Sequence, residues 1–314
     1  GGRRLAGQNL RRLIEALTKA LEPVIHGEFS AMASALLWSV AVILLRLSGL
    51  RLAPVPLTFF KSAVALVCFY TTILYLGLPL WPALGPVAYG KLAVSAILGI
   101  SIADTLFVAA LNRLGASLQA IADCIYAPSV AFVGFLMFGE GLNGWELLGG
   151  ALVVAGVLVG VGLRFDSEAP PRELLSGVAL AAGAHVVMAV GILMVRDLYR
   201  TEPVLWIAGY RFLVATLVLG VYAWWRGEDL WAGFRSTDLY KWTIPLSLLG
   251  PYLATVFWIS GFKYTTPGRA AIYNQLSSVF VILLAWLVLH ERLTPRRLGA
   301  LGLAALGSLL VAMN

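Results

Sequence analysis

From residue 29 to residue 313 the chain alternates long apolar runs with short polar breaks. Ten runs separate, at about 29–47, 57–76, 88–111, 116–138, 144–163, 174–195, 203–225, 239–263, 268–289 and 295–313. Each approaches the roughly 20 residues that carry one helix across a hydrocarbon core. The breaks fall at turn residues: Pro54 and Pro56, Pro79 and Pro82, Gly115, Asn143–Gly144, Pro170–Pro171, Pro203, Pro267–Gly268 and Thr294–Pro295. Residues 1–28 follow another pattern, with Leu10, Leu13, Ile14, Leu17 and Leu21 at helical spacing among Arg3, Arg4, Arg11, Arg12 and Lys19. That spacing predicts a basic amphipathic helix lying on a membrane surface. The segment lacks the short apolar core and small-residue cleavage site of a signal peptide.

The pattern also repeats. VLHERLTPRRLGALGLAALGSLLVAM, from Val288 to Met313, has the layout of MFGEGLNGWELLGGALVVAGVLVGV, from Met137 to Val161: an apolar run, a Glu, a polar turn, then a second run dotted with small residues. A shift of 151 residues lays Glu140 on Glu291, Gly99 on Gly250, Asp123 on Asn274 and Gly156 on Gly307, and a shift of 150 lays Arg46 on Arg196 and Phe60–Lys61 on Tyr210–Arg211. The polar connector 164–173 divides the copies, 29–163 and 174–314. Each copy holds five crossings, an odd number, so the second enters the membrane upside down relative to the first. The predicted fold is all-α and integral to the membrane, with ten transmembrane helices in two inverted-topology repeats of five. Two opposed copies of this kind face each other around a site near the midplane.

Composition agrees. The chain is 60% hydrophobic and only 12% charged, against about 25% charged for a soluble domain. A formal charge of +7 would suggest nucleic acid in a soluble protein, but the basic residues sit mostly at the ends of apolar runs, where a bilayer tolerates them. A lipid bilayer and a small-molecule substrate are the expected partners, nucleic acid is not, and a homodimer is allowed. Lys and Arg divide almost evenly between the two sides, as a fused inverted pair requires; the basic leading segment favours an N-terminus inside. Cys68 and Cys124 both lie in apolar runs and read as packing residues. The chain has no GxxxxGK[ST] loop and no HExxH, its three histidines are scattered, and no nucleophile has a partner. Neither an enzyme, nor a cofactor, nor a metal site is expected.

Polar groups inside the runs carry the functional signal, since each costs on the order of 2.5–3.5 kcal/mol to insert. Asp104 and Asp123 are the two carboxylates well inside apolar runs. Taking a carboxylate out of water favours its protonated form, so each is a candidate proton carrier; the alternative is pairing with a neighbour such as Arg113 for assembly. Asp123 and Tyr126 share a helical face, and the repeat sets Asn274, with Tyr273 and Gln275 beside it, opposite Asp123. Such a cluster can hold a zwitterionic solute, although buried amides also serve simply to join helices. Trp38, Tyr252 and Trp258 lie near the middle of their runs and His185 at the centre of the sixth; they are candidates for a cavity wall or for packing. Trp81, Trp145, Trp224, Trp225, Trp231 and Trp242 fall near run ends, as an interfacial belt does. Gly149, Gly156, Gly160, Gly299, Gly302 and Gly307 form small-residue stripes for close helix contact. Asn143–Glu146 reads as a capping box, Thr294–Pro295 as a helix start, Glu140 and Glu291 as turn residues, and Pro128 and Pro251 as breaks or kinks.

With these features together, the chain resembles the EamA-type members of the drug/metabolite transporter superfamily. The resemblance rests on Gly139–Glu140 and the HERLTP stretch His290–Pro295, each followed by a glycine-bearing final helix. Lys61, Arg211 and the ALNRLGASLQA and GFKYTTPGRAA connections support it. It implies ten crossings, both termini in the cytoplasm, and a cavity lined by the first, third, fourth, sixth, eighth and ninth helices. It also implies movement of amino acids or other small metabolites across the cell (inner) membrane. The resulting expectation is a secondary transporter working by alternating access, an exporter of amino acids with aromatic or hydrophobic ones first, proton-coupled through Asp123 or Asp104. Its expected substrate contacts are Trp38, Asp123, Tyr126, His185, Tyr252, Trp258, Tyr273, Asn274 and Gln275. The alternatives are a carrier of sugar phosphates, nucleotide derivatives or cationic drugs, or a membrane structural or regulatory protein that moves nothing. Organic phosphates would need cations in the cavity, whereas Lys61, Arg211, Lys263 and Arg269 are expected nearer helix ends.

Overall fold

The computed structural model describes residues 27–139, 141, 143–161, 170–235, 237–264 and 267–313. Nearly all of the basic leading segment, Glu140, and most of the 164–173 connector lie outside the described residues. Every regular element within them is helical. The first copy contains α1 (Gly27–Gly49), α2 (Pro54–Tyr75), α3 (Pro86–Ala96), α4 (Ala103–Ala122), α5 (Tyr126–Phe138) and α6 (Gly144–Val161). The second contains α7 (Pro171–Leu193), the short α8 (Arg196–Thr201), α9 (Val204–Arg226), the single turn α10 (Ala232–Arg235), α11 (Thr237–Ser247), α12 (Thr255–Tyr264), α13 (Pro267–Leu289) and α14 (Pro295–Met313).

Local chemistry explains many of these boundaries. Pro54, Pro86, Pro171, Pro267 and Pro295 each open a helix, where a fixed φ helps and the missing N–H costs nothing. The capping box forms at α6: Asn143 Oδ1 accepts from the amides of Trp145 and Glu146, both at 2.9 Å, and Glu146 Oε2 accepts from the Asn143 amide at 2.8 Å. Thr294 Oγ1 caps α14 by accepting from the Arg297 amide at 3.3 Å.

Seven stretches are long and apolar enough to cross a membrane, and two shorter apolar helices, Gly144–Gly160 and Tyr273–Leu289, accompany them. One of the seven, Pro86–Phe138, runs for 53 residues, which as a straight helix would measure about 80 Å. It is not straight. Gly115, at φ 75° and ψ 173°, breaks it in a conformation that a side chain would strain.

Two interruptions were not foreseen by the uniform runs 88–111 and 239–263. Both contain a π-helical segment, Ile97–Ile102 between α3 and α4 and Leu248–Ala254 between α11 and α12. The same 151-residue shift superimposes them. Pro251 removes one amide from the second, but the first has no proline, so the bulge belongs to the shared backbone rather than to that residue.

The last helices of the two copies, α6 and α14, pack on each other closely. A Cβ on Gly307 would stand 2.4 Å from the Gly149 carbonyl oxygen, one on Gly156 2.7 Å from Ala304 Cβ, and one on Gly160 3.3 Å from Ala300 Cβ. Partners descend along α14 as positions ascend along α6, so the two helices run antiparallel. Gly299 and Gly302 correct the expected stripe: a Cβ on either meets nothing within 4 Å, because both turn away from α6. Buried apolar residues form two clusters, one including Phe107, Leu111 and Ile121, the other including Phe69, Ile100 and Phe212.

Candidate functional site

A cavity of about 170 Å³ draws its wall from both clusters and both copies. At roughly 30 Å³ per liquid water it has room for about half a dozen waters, the bulk of one amino-acid-sized solute. From the first copy come Trp38 on α1, Gly99 and Ile100 of the first π segment, Asp104 and Phe107 on α4, and Asp123 and Tyr126 at the α4–α5 junction. From the second come His185 and Met188 on α7, Pro251 and Ala254 of the other π segment, Thr255 and Trp258 on α12, and Asn274 and Gln275 on α13. The wall also takes Lys61 from α2 and Arg211 from α9, two helices that the resemblance did not implicate.

Asp123 contacts the second copy directly. Pro128 has no N–H for the Cys124 carbonyl, and the chain tightens into a 3-10 turn over Asp123–Ile125. Asp123 Oδ1 accepts from Gln119 Nε2 at 2.7 Å and faces His185 Nε2 at 3.0 Å. Around it the Tyr126 hydroxyl, His185 Nδ1 and Asn274 Nδ2 are buried with no hydrogen-bond partner among the described residues. Buried polar groups are normally paired, so three unpaired ones on a single cavity wall are what a polar solute or water would satisfy. The ring of Trp38 leans on Phe107 at 5.8 Å between centroids, and that of Trp258 on Tyr199 at 6.2 Å.

Lys61 and Arg211 lie deeper than their positions along the helices suggested. Each is seven residues from the start of its helix, about 10 Å along the axis, and they are only 2% and 4% exposed. Lys61 Nζ is ion-paired with Asp104. Asp104 is therefore answered by Lys61; Arg113 instead donates to Ser176 at 3.1 Å.

Tyr252 and Tyr273 are not in the wall. The Tyr252 hydroxyl is held by Thr72 Oγ1 at 2.7 Å and its ring stands edge-on to Phe69, which turns it outward. Tyr273 precedes Asn274, and neighbouring residues on a helix face directions about 100° apart. Gln275 lines the cavity with its amide already engaged. Nε2 donates to Cys124 Sγ at 3.1 Å and Oε1 accepts from Ser308 at 3.0 Å. Gln275 and Cys124 are equivalents under the 151-residue shift, and the two copies touch at that pair. Among the described residues, no group of three His, Cys, Asp or Glu side chains is arranged to hold a metal.

A model of the EamA-like transporter family matches residues 25–161 and again residues 175–313, once for each copy. The chain belongs to the EamA-like transporter family. It is accordingly an integral, multi-pass membrane protein of a family that transports small molecules. A solved structure described only as "Crystal structure of protein" aligns with a TM-score of 0.66 over 90% of this chain and 95% of that one, at 19% identity, a likeness of fold alone. No protein of curated function matches the sequence.

Of the two turns that carry the resemblance to EamA-type transporters, the second has a structural role through Glu291. At the Gly115 break the new helix start exposes the amides of Ala116 and Ser117, and the Glu291 carboxylate accepts from both, at 2.9 and 3.0 Å. On the other side of the break, Arg46 donates to the carbonyls of Leu111 and Asn112, at 3.1 and 2.8 Å. One interruption is thus closed by a cation from α1 and an anion from the loop before α14. Glu291 looks like a plain turn residue in the sequence because the amides it serves lie as many as 175 residues away.

Proposed function

We propose that the protein is a secondary transporter that exports small amphipathic metabolites, amino acids first, across the cell membrane by alternating access. Ten crossings in two inverted repeats of five, with both termini on the cytoplasmic side, complete the reading. The observation that carries it is the Asp123–His185 contact: a carboxylate of the first copy and an imidazole of the second meet at 3.0 Å on the wall of a cavity built from both. In this reading, movement of α7 against the α4–α5 junction breaks and remakes the contact, which links proton exchange at Asp123 to the side the cavity faces. Asp104, held by Lys61, is the lesser candidate for that role. Antiparallel α6 and α14, the Cys124–Gln275 contact between equivalent residues, and matching π segments all support an inverted pair. The Gly115 break supports counting Pro86–Phe138 as two crossings.

A carrier of organic phosphates is the second reading, favoured by Lys61 and Arg211 in the wall. It ranks lower because Asp104 already pairs with Lys61 and Asp123 adds a further negative charge to the wall.

Reconstitution in liposomes tests the proposal. Labelled amino acids should show saturable counterflow, and an imposed proton gradient should drive their accumulation. Asp123→Asn should lose proton-driven accumulation by tenfold or more, with saturable exchange weakened but still measurable. Unchanged accumulation in that variant would remove Asp123 from the coupling step.

A further inference from the structure

Both copies build a cation into the cavity wall and then treat it differently. Lys61 and Arg211 are equivalent, each more than nine-tenths buried. Lys61 has Asp104. The shift of 151 residues lays Asp104 on Thr255, which also lines the cavity but carries no charge. Arg211 Nη1 donates to the Tyr199 hydroxyl at 2.9 Å, and its buried Nε has no hydrogen-bond partner among the described residues. Among the described residues, no carboxylate lies within ion-pairing distance of it. Gly99 leaves the approach open, since a Cβ there would stand 2.8 Å from Nη2.

A guanidinium does not shed its proton on burial. A buried one without a counter-charge is costly until an anion joins it. The planar fork of donors matches the two oxygens of a carboxylate. We propose that Arg211 is the subsite for a carboxylate of the transported solute, so that the cavity selects small carboxylic acids, amino acids included, over their neutral and cationic analogues. The proposal rests on the transport reading above and names its substrate class. Asp123 on the same wall then offers a zwitterion an acidic partner for its ammonium group. A phosphate monoester presents similar oxygens, but its second charge would meet a wall that already holds Asp104 and Asp123.

The test uses the full chain in liposomes, with counterflow of a panel of labelled amino acids. Competition by each acid is set against its carboxamide and, for serine, against phosphoserine; equilibrium binding of the same compounds is measured in detergent. The wild type should prefer acid to amide by tenfold or more. Arg211→Gln should abolish that preference. Thr255→Asp should abolish it too while keeping the fold, because it gives Arg211 the partner that Lys61 already has. Amides that compete as well as acids, or a preference that survives both substitutions, would overturn the subsite while exchange itself still stood. Competition by phosphoserine alone would overturn the carboxylate assignment. Folded protein that neither binds nor exchanges any member of the panel would overturn the transport reading and the subsite with it.

Discussion

The two halves agree in backbone and disagree in chemistry. Both carry a π segment at the same place, both bury a cation seven residues into their second long helix, and both end in a helix whose small residues meet its counterpart. Yet where the first half has Asp104 and Asp123, the second has Thr255 and Asn274; where the second has His185 and Met188, the first has Ala35 and Trp38. All eight residues line the cavity. What the duplication kept is what bends and packs helices; what it let diverge faces the solute. The cavity is consequently polar in one direction, able to distinguish the ends of an unsymmetrical molecule, as a wall of identical copies is not.

Substitutions can attack each side of that contrast. The largest effect should come from Asp104→Asn, which makes the first half resemble the second by leaving Lys61 buried and unpaired. A loss of about 3–5 kcal/mol is expected, read as a fall in melting temperature, with recovery when Lys61→Met is added. An unchanged melting curve would mean that the two cations are equally content alone. Next, Gly307→Ala strikes the shared packing and should cost about 1–3 kcal/mol, while Gly302→Ala, with open space around it, should cost nothing measurable; equal effects would remove the α6–α14 contact from the account. Smallest is Glu291→Gln, expected to cost about 1 kcal/mol by replacing a charged acceptor with a neutral one, and checked by the same melting experiment.

The repeat was legible because its offset holds without a gap over the Glu turns, Gly99 and Asp123, and the helix limits because prolines and caps mark them. The π segments were not, since ILGISI contains no breaker and reads as one more apolar turn. Depth was the second blind spot. Position along a helix placed Lys61 and Arg211 near an end, but what decides burial is which neighbour faces them, Asp104 in one case and Tyr199 in the other. Asp123 and His185 were each singled out, yet their meeting across 62 residues depends on how α7 packs against the first copy. Tyr252 shows the converse, a mid-membrane tyrosine whose hydroxyl is satisfied by Thr72 rather than by the cavity.

The closure at Gly115 also has a consequence for biogenesis. The amides of Ala116 and Ser117 belong to the first half, but their acceptor is residue 291. While the chain is being synthesised, the helix turn that starts at Ala116 lacks this acceptor until nearly all of the second half has emerged. A chain stopped short of Glu291 leaves those two amides without this acceptor, so the first half depends on the second to finish its own backbone.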